Sequence, residues 1–151
     1  ATCFPPVAVE PPPPEPPPEP IRLRVPRNVH FALDQSNISA ASAEILDQIA
    51  AAMITYPSLV VELRGHTDPR ASDAYNQALS ERRALAARDY LVRQGIAPER
   101  MRITPLGETQ RRTTGSTRLD YARDRRVEFE FSDTQGVEII FEAVETDLQI
   151  E

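Results

Sequence analysis

The sequence predicts an α+β fold. It reads as a two-layer α/β sandwich of order βαβαβ(α)β, a mixed sheet covered by two main helices, with a candidate C-terminal β extension. Three observations predict it. Short β-branched or aromatic runs alternate apolar and polar residues. Two longer segments between them place apolar residues at helical spacing. The order strand, helix, strand, helix, strand favours parallel pairing through crossovers. The last strand returns after a loop too short for a full helix, so it is expected to pair antiparallel.

Residues 1–20 read ATCFPPVAVEPPPPEPPPEP and hold ten of the 15 prolines. Proline fixes φ and removes an amide donor, so this stretch favours polyproline II and cannot join a sheet. Fully extended it would span roughly 60 Å, as a stiff spacer. A ligand for proline-binding domains is the alternative. Ile21, Leu23 and Val25 fall on one face of an extended segment, and Val29 and Phe31 form a second short strand after Pro26. Ser39 is the expected N-cap of the first helix. Ile45, Leu46, Ile49, Ala52 and Met53 form its apolar stripe, and Pro57 stops it near Tyr56.

Leu59–Leu63 is a compact β-branched run, expected as a central strand. The second helix is predicted from about Asp73 to Gln94, capped by Ser72 and ended by Gly95 in a left-handed conformation. Met101–Leu106 is the next strand. A polar loop, GETQRRTTGSTRL, precedes a short helical turn over Leu119–Asp124. Val127, Phe129 and Phe131 alternate as the closing strand. Beyond it Val137, Ile139 and Phe141 alternate again, as a further hairpin or the start of another domain. The division drawn from sequence is a linker at 1–20, a domain at 21–131 and an acidic extension at 132–151.

The net charge is −6, and the extension carries six acids and no base, so it accounts for the whole imbalance. An acidic chain is a poor nucleic-acid binder, because that affinity rests on neutralising phosphates. All 17 bases are arginine, the residue suited to forked carboxylate recognition, although genome composition alone also accounts for a lysine-free chain. Cys3 stands alone, which excludes an internal disulfide. It is read as a free thiol, with lipid attachment the alternative. The chain begins at Ala1 rather than Met, as a processed form or a fragment does.

The stretch from Leu63 to Ile96 carries Gly65-His66-Thr67-Asp68, Tyr75-Asn76, Leu79-Ser80 and Arg82-Arg83-Ala84. A second block reads Asp124-Arg125-Arg126-Val127-Glu128. Both blocks resemble the OmpA-like domain, whose pattern runs G-H-T-D-x-x-G, Y-N, L-S-x-x-R-A, Y-L and G-I, then N-R-R-V-E. The resemblance covers roughly Val29 to Phe131. Three positions depart from it: Ala71 replaces the glycine, Asp124 replaces the asparagine, and Ala32 stands where many members carry an acid, with Asp34 a candidate substitute.

The resemblance implies a non-catalytic periplasmic module attached to the outer membrane of a Gram-negative-type envelope. It implies a peptidoglycan partner, gripped through the diaminopimelate of the stem peptide. That ligand end is zwitterionic, so its site needs one anion, one cation and amide donors. The family's acid falls on Asp68, its arginine on Arg83 and its helix asparagine on Asn76. Asn76 and Arg83 are seven residues apart and share a helix face. The turn at Asp68 sits by the helix N-terminus, which attracts a carboxylate. Thr67 is added for its hydroxyl or backbone. Strand alternation turns one of Arg125 and Arg126 toward the pocket, and Arg126 is the one assigned. His66 is read as a structural hydrogen-bonding residue. Asp124 is expected to compete with ligand for an arginine.

No cofactor and no metal are expected. Membrane contact is expected only through an anchor or domain upstream of Ala1, and a homodimer stays open. An enzyme is disfavoured, since no nucleophile elbow, metal-ligand cluster or phosphate-binding glycine loop appears. The competing reading is an envelope scaffold that uses its acidic tail for protein contacts, with a degenerate wall site.

Overall fold

The computed structural model describes residues 11–14, 16 and 19–151. Cys3 and most of the proline-rich segment expected to act as a spacer lie outside the described residues. The strands are β1 (Ile21–Pro26), β2 (Asn28–His30), β3 (Val60–Gly65), β4 (Met101–Pro105), β5 (Arg126–Ser132) and β6 (Val137–Glu142). The helices are α1 (Ala40–Thr55), α2 (Asp73–Arg93) and α3 (Arg118–Asp124), with a 3-10 turn at Pro98–Arg100.

The main sheet has the order β2-β5-β3-β4. β3 and β4 are parallel, and β5 runs antiparallel to both β3 and β2. The mixed α+β architecture and the antiparallel closing strand are therefore as predicted. Both main helices start where the sequence places their caps. Ser39 Oγ accepts from Ser42 N, and Ser72 Oγ accepts from Tyr75 N. Gly95, at φ +100°, ends α2 in the left-handed region. The carbonyls left open where α1 ends are met by Arg100, which donates to Met53 O, Tyr56 O and Leu59 O.

The core lies between the helices and one face of the sheet. Ile45, Leu46, Ile49 and Met53 of α1 pack with Val61 and Leu63 of β3 and Val127 and Phe129 of β5, all at most 2% exposed. Each such side chain contributes about 1.5–3 kcal/mol by leaving water. The buried stripe of α2 changes character along its length. It is apolar at Ala84, Ala87 and Leu91 over the core, and polar at Asn76, Ser80 and Arg83 toward the N-terminal end. That end meets the loop after β3. Gly65 permits the approach: a Cβ there would stand 2.0 Å from the Ser80 carbonyl oxygen. No residue larger than glycine fits without moving α2 off β3.

The acidic tail does not form a hairpin. β6 pairs in parallel with β1 as a separate two-stranded sheet, Ile21 opposite Val137 and Pro26 opposite Glu142. Phe131 and Phe141 stack with centroids 6.2 Å apart, which joins the small sheet to β5. Glu138 and Glu142 pair with Arg22 and Arg24 at 3.6 and 3.5 Å, in exposed pairs that contribute little to stability.

Candidate functional site

The loop from His66 to Ser72 is fixed by its own backbone. His66 N donates to Arg126 O and Thr67 N to Gly107 O, both at 2.8 Å. Asp68 Oδ1 then accepts from Arg70 N at 3.0 Å, the local turn that aspartate favours. Ala71 comes next at φ +84°, a left-handed conformation that penalises any Cβ. The glycine expected at this position is thus missing where the backbone most needs it. Ala71→Gly is expected to stabilise the domain by about 1 kcal/mol. Thermal unfolding checks this, with a rise in Tm of about 2–4 °C expected.

Asp68, Thr67, Asn76 and Arg83 line one cavity of about 260 Å³, together with Asp34, Arg70 and Leu33. Four of the five residues assigned from sequence therefore converge. Asn76 Nδ2 donates to Asp68 O at 3.3 Å and ties α2 to the loop. The Thr67 hydroxyl is buried without a hydrogen-bond partner. Arg83 is fully buried and donates through three atoms: Nε to Gln35 O at 2.9 Å, Nη1 to His66 O at 3.0 Å and Nη2 to Ala32 O at 3.1 Å. Its guanidinium also lies 5.4 Å from the Phe31 ring centroid. Burial first, and then the charge of Arg125, lower its pKa to about 10, so it stays a cation at neutral pH. An arginine has five N–H donors, so one N–H on each terminal nitrogen still has no protein acceptor.

Arg126 does not join them. Its guanidinium donates to Asp124 O, Gln110 O and Glu128 Oε1 and borders a different cleft with Arg27 and Arg112. Its neighbour turns toward Asp68 instead. Arg125 is 1% exposed, places Nη1 3.4 Å from Asp68 Oδ2 and donates from Nε to Phe31 O at 3.0 Å. The reason is strand parity. Val127 and Phe129 point to the helix-covered face, so Arg125 shares their side and Arg126 takes the other. Asp124 is also corrected. Its carboxylate is held by Arg111 Nε at 2.9 Å and by Thr113 N at 3.1 Å, away from the pocket arginines.

Arg70 has no counterpart in the sequence reading. Its guanidinium donates from Nη2 to Asp68 Oδ2 at 2.9 Å and from Nε to Asp68 Oδ1 at 3.2 Å, and stacks 4.4 Å from the Tyr121 centroid. Burial would raise the Asp68 pKa, but the Arg70 hydrogen bonds and the Arg125 charge outweigh it and hold the carboxyl below its ordinary value. Asp34, at φ +55°, accepts from Tyr75 Oη at 3.3 Å and supplies the second acid of the cavity. The cavity thus presents both signs of charge over an apolar floor of Leu33 and Leu79.

Behind the loop, His66 Nε2 lies 2.9 Å from Glu128 Oε1. Burial lowers the His66 pKa despite that carboxylate, so the ring is held neutral. For Glu128, burial is outweighed by the nearby His66 ring and the Arg126 charge, and its pKa falls to about 2. Both shifts have one sign for stability. The unfolded chain binds the extra proton, so stability is present at neutral pH and lost on acidification. The His66 part fades below pH 6.5 and the Glu128 part between pH 4.5 and about 2. Glu128→Gln is expected to lower urea stability at pH 7 by on the order of 2–3 kcal/mol, and hardly at all at pH 2. A gap of equal size at both pH values would contradict that ion-pair role.

Comparison with known proteins places the chain's sequence and fold in a family. The OmpA family matches residues 30–125. Outer membrane porin F of Pseudomonas fluorescens is 39% identical over 106 residues, which are 70% of this chain and 32% of that protein. The peptidoglycan-associated lipoprotein of Pseudomonas putida is 36% identical over 110 residues, 73% of this chain and 66% of that protein. The chain therefore spans about a third of the porin and just under two thirds of the lipoprotein. Among solved structures, the peptidoglycan-associated lipoprotein from Burkholderia pseudomallei superposes with a TM-score of 0.68 at 27% identity, covering 70% of this chain and 90% of that one. The C-terminal domain of Helicobacter pylori MotB shares the fold, with a TM-score of 0.65 at 20% identity over 70% of this chain and 83% of that one. With two sequence blocks, a matching fold and a family match over most of the folded core, the chain belongs to the OmpA family.

Proposed function

We propose that the domain is a non-catalytic binding module that anchors an envelope protein to peptidoglycan. Its place is the periplasmic side of a Gram-negative-type outer membrane. The similarity to proteins named peptidoglycan-associated lipoprotein and outer membrane porin F supports that setting.

The observation that carries the reading is the cavity that Asp68 and Arg83 share. A zwitterionic amino-acid head group, as at the free end of a diaminopimelate side chain, complements it. Its ammonium goes to Asp68, and its carboxylate takes the two spare N–H groups of Arg83 as a fork. The Thr67 hydroxyl, buried and unpartnered, supplies a further contact, and Asn76 holds the loop to the helix. Arg70 occupies Asp68 in the free protein; its side chain is 41% exposed, so ligand reaches the carboxylate by displacing it. Ligand ammonium then replaces one cation with another on the same carboxylate.

The scaffold reading needs a free acidic tail. Four of the six tail acids instead hold arginine or backbone partners outside the tail, through Glu138, Glu142, Glu145 and Glu151. Asp147 is buried. Co-sedimentation with purified diaminopimelate-type sacculi tests the wall-binding reading. The chain is expected to pellet with sacculi and to be released by excess stem peptide. Failure to pellet would sink it.

A further inference from the structure

Asp147 is the one tail acid taken into the interior, 3% exposed. Its Oδ2 accepts from His30 N at 2.5 Å and from Ser42 Oγ at 2.8 Å, and its Oδ1 lies 2.8 Å from His30 Nδ1. A buried carboxylate is costly unless its lone pairs are met in this way. His30 belongs to β2 and Ser42 to α1, so the carboxylate pins the end of the chain to both layers at once.

Beyond Asp147 the chain runs to the pocket. Gln149 O accepts from Arg125 Nη2 at 2.7 Å, and Glu151 Oε2 accepts from Leu33 N at 2.8 Å. Arg125 is the residue whose other terminal nitrogen reaches Asp68, and Leu33 lines the cavity beside Asp34. The carbonyl of Ala32, one residue earlier, holds Arg83. Contacts therefore run unbroken from Asp147 through Gln149 and Arg125 to the acid of the site. A second line runs from Glu151 through the 31–34 loop to its arginine.

We infer that residues 143–151 form a strap that positions the ligand pocket, anchored by Asp147 and acting through Arg125 and the 31–34 loop. The strap lies outside the 30–125 family match, and the inference rests on the wall-binding reading above. Its residues do not touch ligand; they are positioning residues. Without the strap, Arg125 loses the acceptor that holds one end of its fork, and Leu33 N loses its partner. Both are then free to leave the geometry that aims Asp68 and Arg83 into one cavity.

The informative variant is the chain ending at Leu148, which removes the Gln149 and Glu151 contacts and keeps the Asp147 anchor. It is expected to fold, with an unchanged far-UV spectrum, and to bind a diaminopimelate stem peptide about tenfold more weakly, the equivalent of one charge-assisted hydrogen bond. Asp147→Asn releases the anchor and is expected to weaken binding at least as much. A readout independent of ligand accompanies both. Exchange of the Leu33 amide and the Arg125 Nε proton is expected to speed up, while amides late in α2, such as Leu91, keep their protection. Wild-type affinity and wild-type exchange at Leu33 and Arg125 in the shortened chain would overturn the strap. If Asp147→Asn unfolds, the shortened chain alone decides. Failure of the unaltered chain to bind the peptide would count against the wall-binding reading, and the exchange data would still judge the strap.

Discussion

Arg83→Ala is expected to be the most damaging single substitution in the domain, costing about 3–5 kcal/mol of folding stability and all measurable wall binding. The size comes from what surrounds the guanidinium. It is fully buried, and it meets three carbonyls from two different segments, at Ala32, Gln35 and His66. Truncation strands those three acceptors and leaves a void beside Phe31. Arg83→Lys retains the charge but not the planar fork, so it is expected to recover less than half the loss. Urea denaturation of both variants checks this. A cost below about 1 kcal/mol for the alanine variant would mean that the carbonyls find other donors. Arg83 is thus the frame of the pocket as well as its cation, and lost binding in this variant cannot by itself locate the ligand.

Asp68→Asn makes the cleaner test of ligand charge. Asparagine keeps an oxygen for the Arg70 amide and suits the same turn, and the Asn76 bond goes to the backbone carbonyl, which the substitution leaves in place. The negative charge is lost, and with it the second oxygen that accepts from Arg70 Nη2 and Arg125 Nη1. Arg70, which lines the cavity, and Arg125, which contacts Asp68, then lose their counter-ion, and an incoming ammonium meets repulsion. Binding is expected to weaken by about 2–5 kcal/mol, much of it from the unpaired cations, while the melting temperature moves far less than for Arg83→Ala. Calorimetric titration with stem peptide measures it. Unchanged affinity would remove Asp68 from the site.

Much of this was legible in the sequence because the relevant signals are local. Ser39 and Ser72 announce helix starts, Gly95 announces a stop, and each acts within a few residues of itself. The placement of Asn76 and Arg83 on one face needs only the helical repeat. The choice between Arg125 and Arg126 needed one more step that was also in the sequence. The apolar character of Val127 and Phe129 marks the face that α2 covers, and parity then selects Arg125. Other features had no local signal. Asp147 looks like any acid of an acidic tail, because its partners His30 and Ser42 lie more than 100 residues away. The parallel pairing of β6 with β1 is equally non-local. Arg70 reads as a solvated turn residue until the loop curls its side chain back onto Asp68. The substitution at Ala71 was visible, but that it falls on a left-handed residue was not.

The pairing of one acid and one arginine across a single cavity is tested most directly by comparing two stem peptides that differ only in the third residue. Diaminopimelate ends in both an ammonium and a carboxylate; lysine ends in the ammonium alone. The spare N–H groups of Arg83 have a partner in the first and none in the second. Titration is expected to give at least about 30-fold tighter binding for the diaminopimelate peptide, the cost of leaving a buried cation unmatched. Equal affinity for the two peptides would contradict the assignment of Arg83 to the ligand carboxylate.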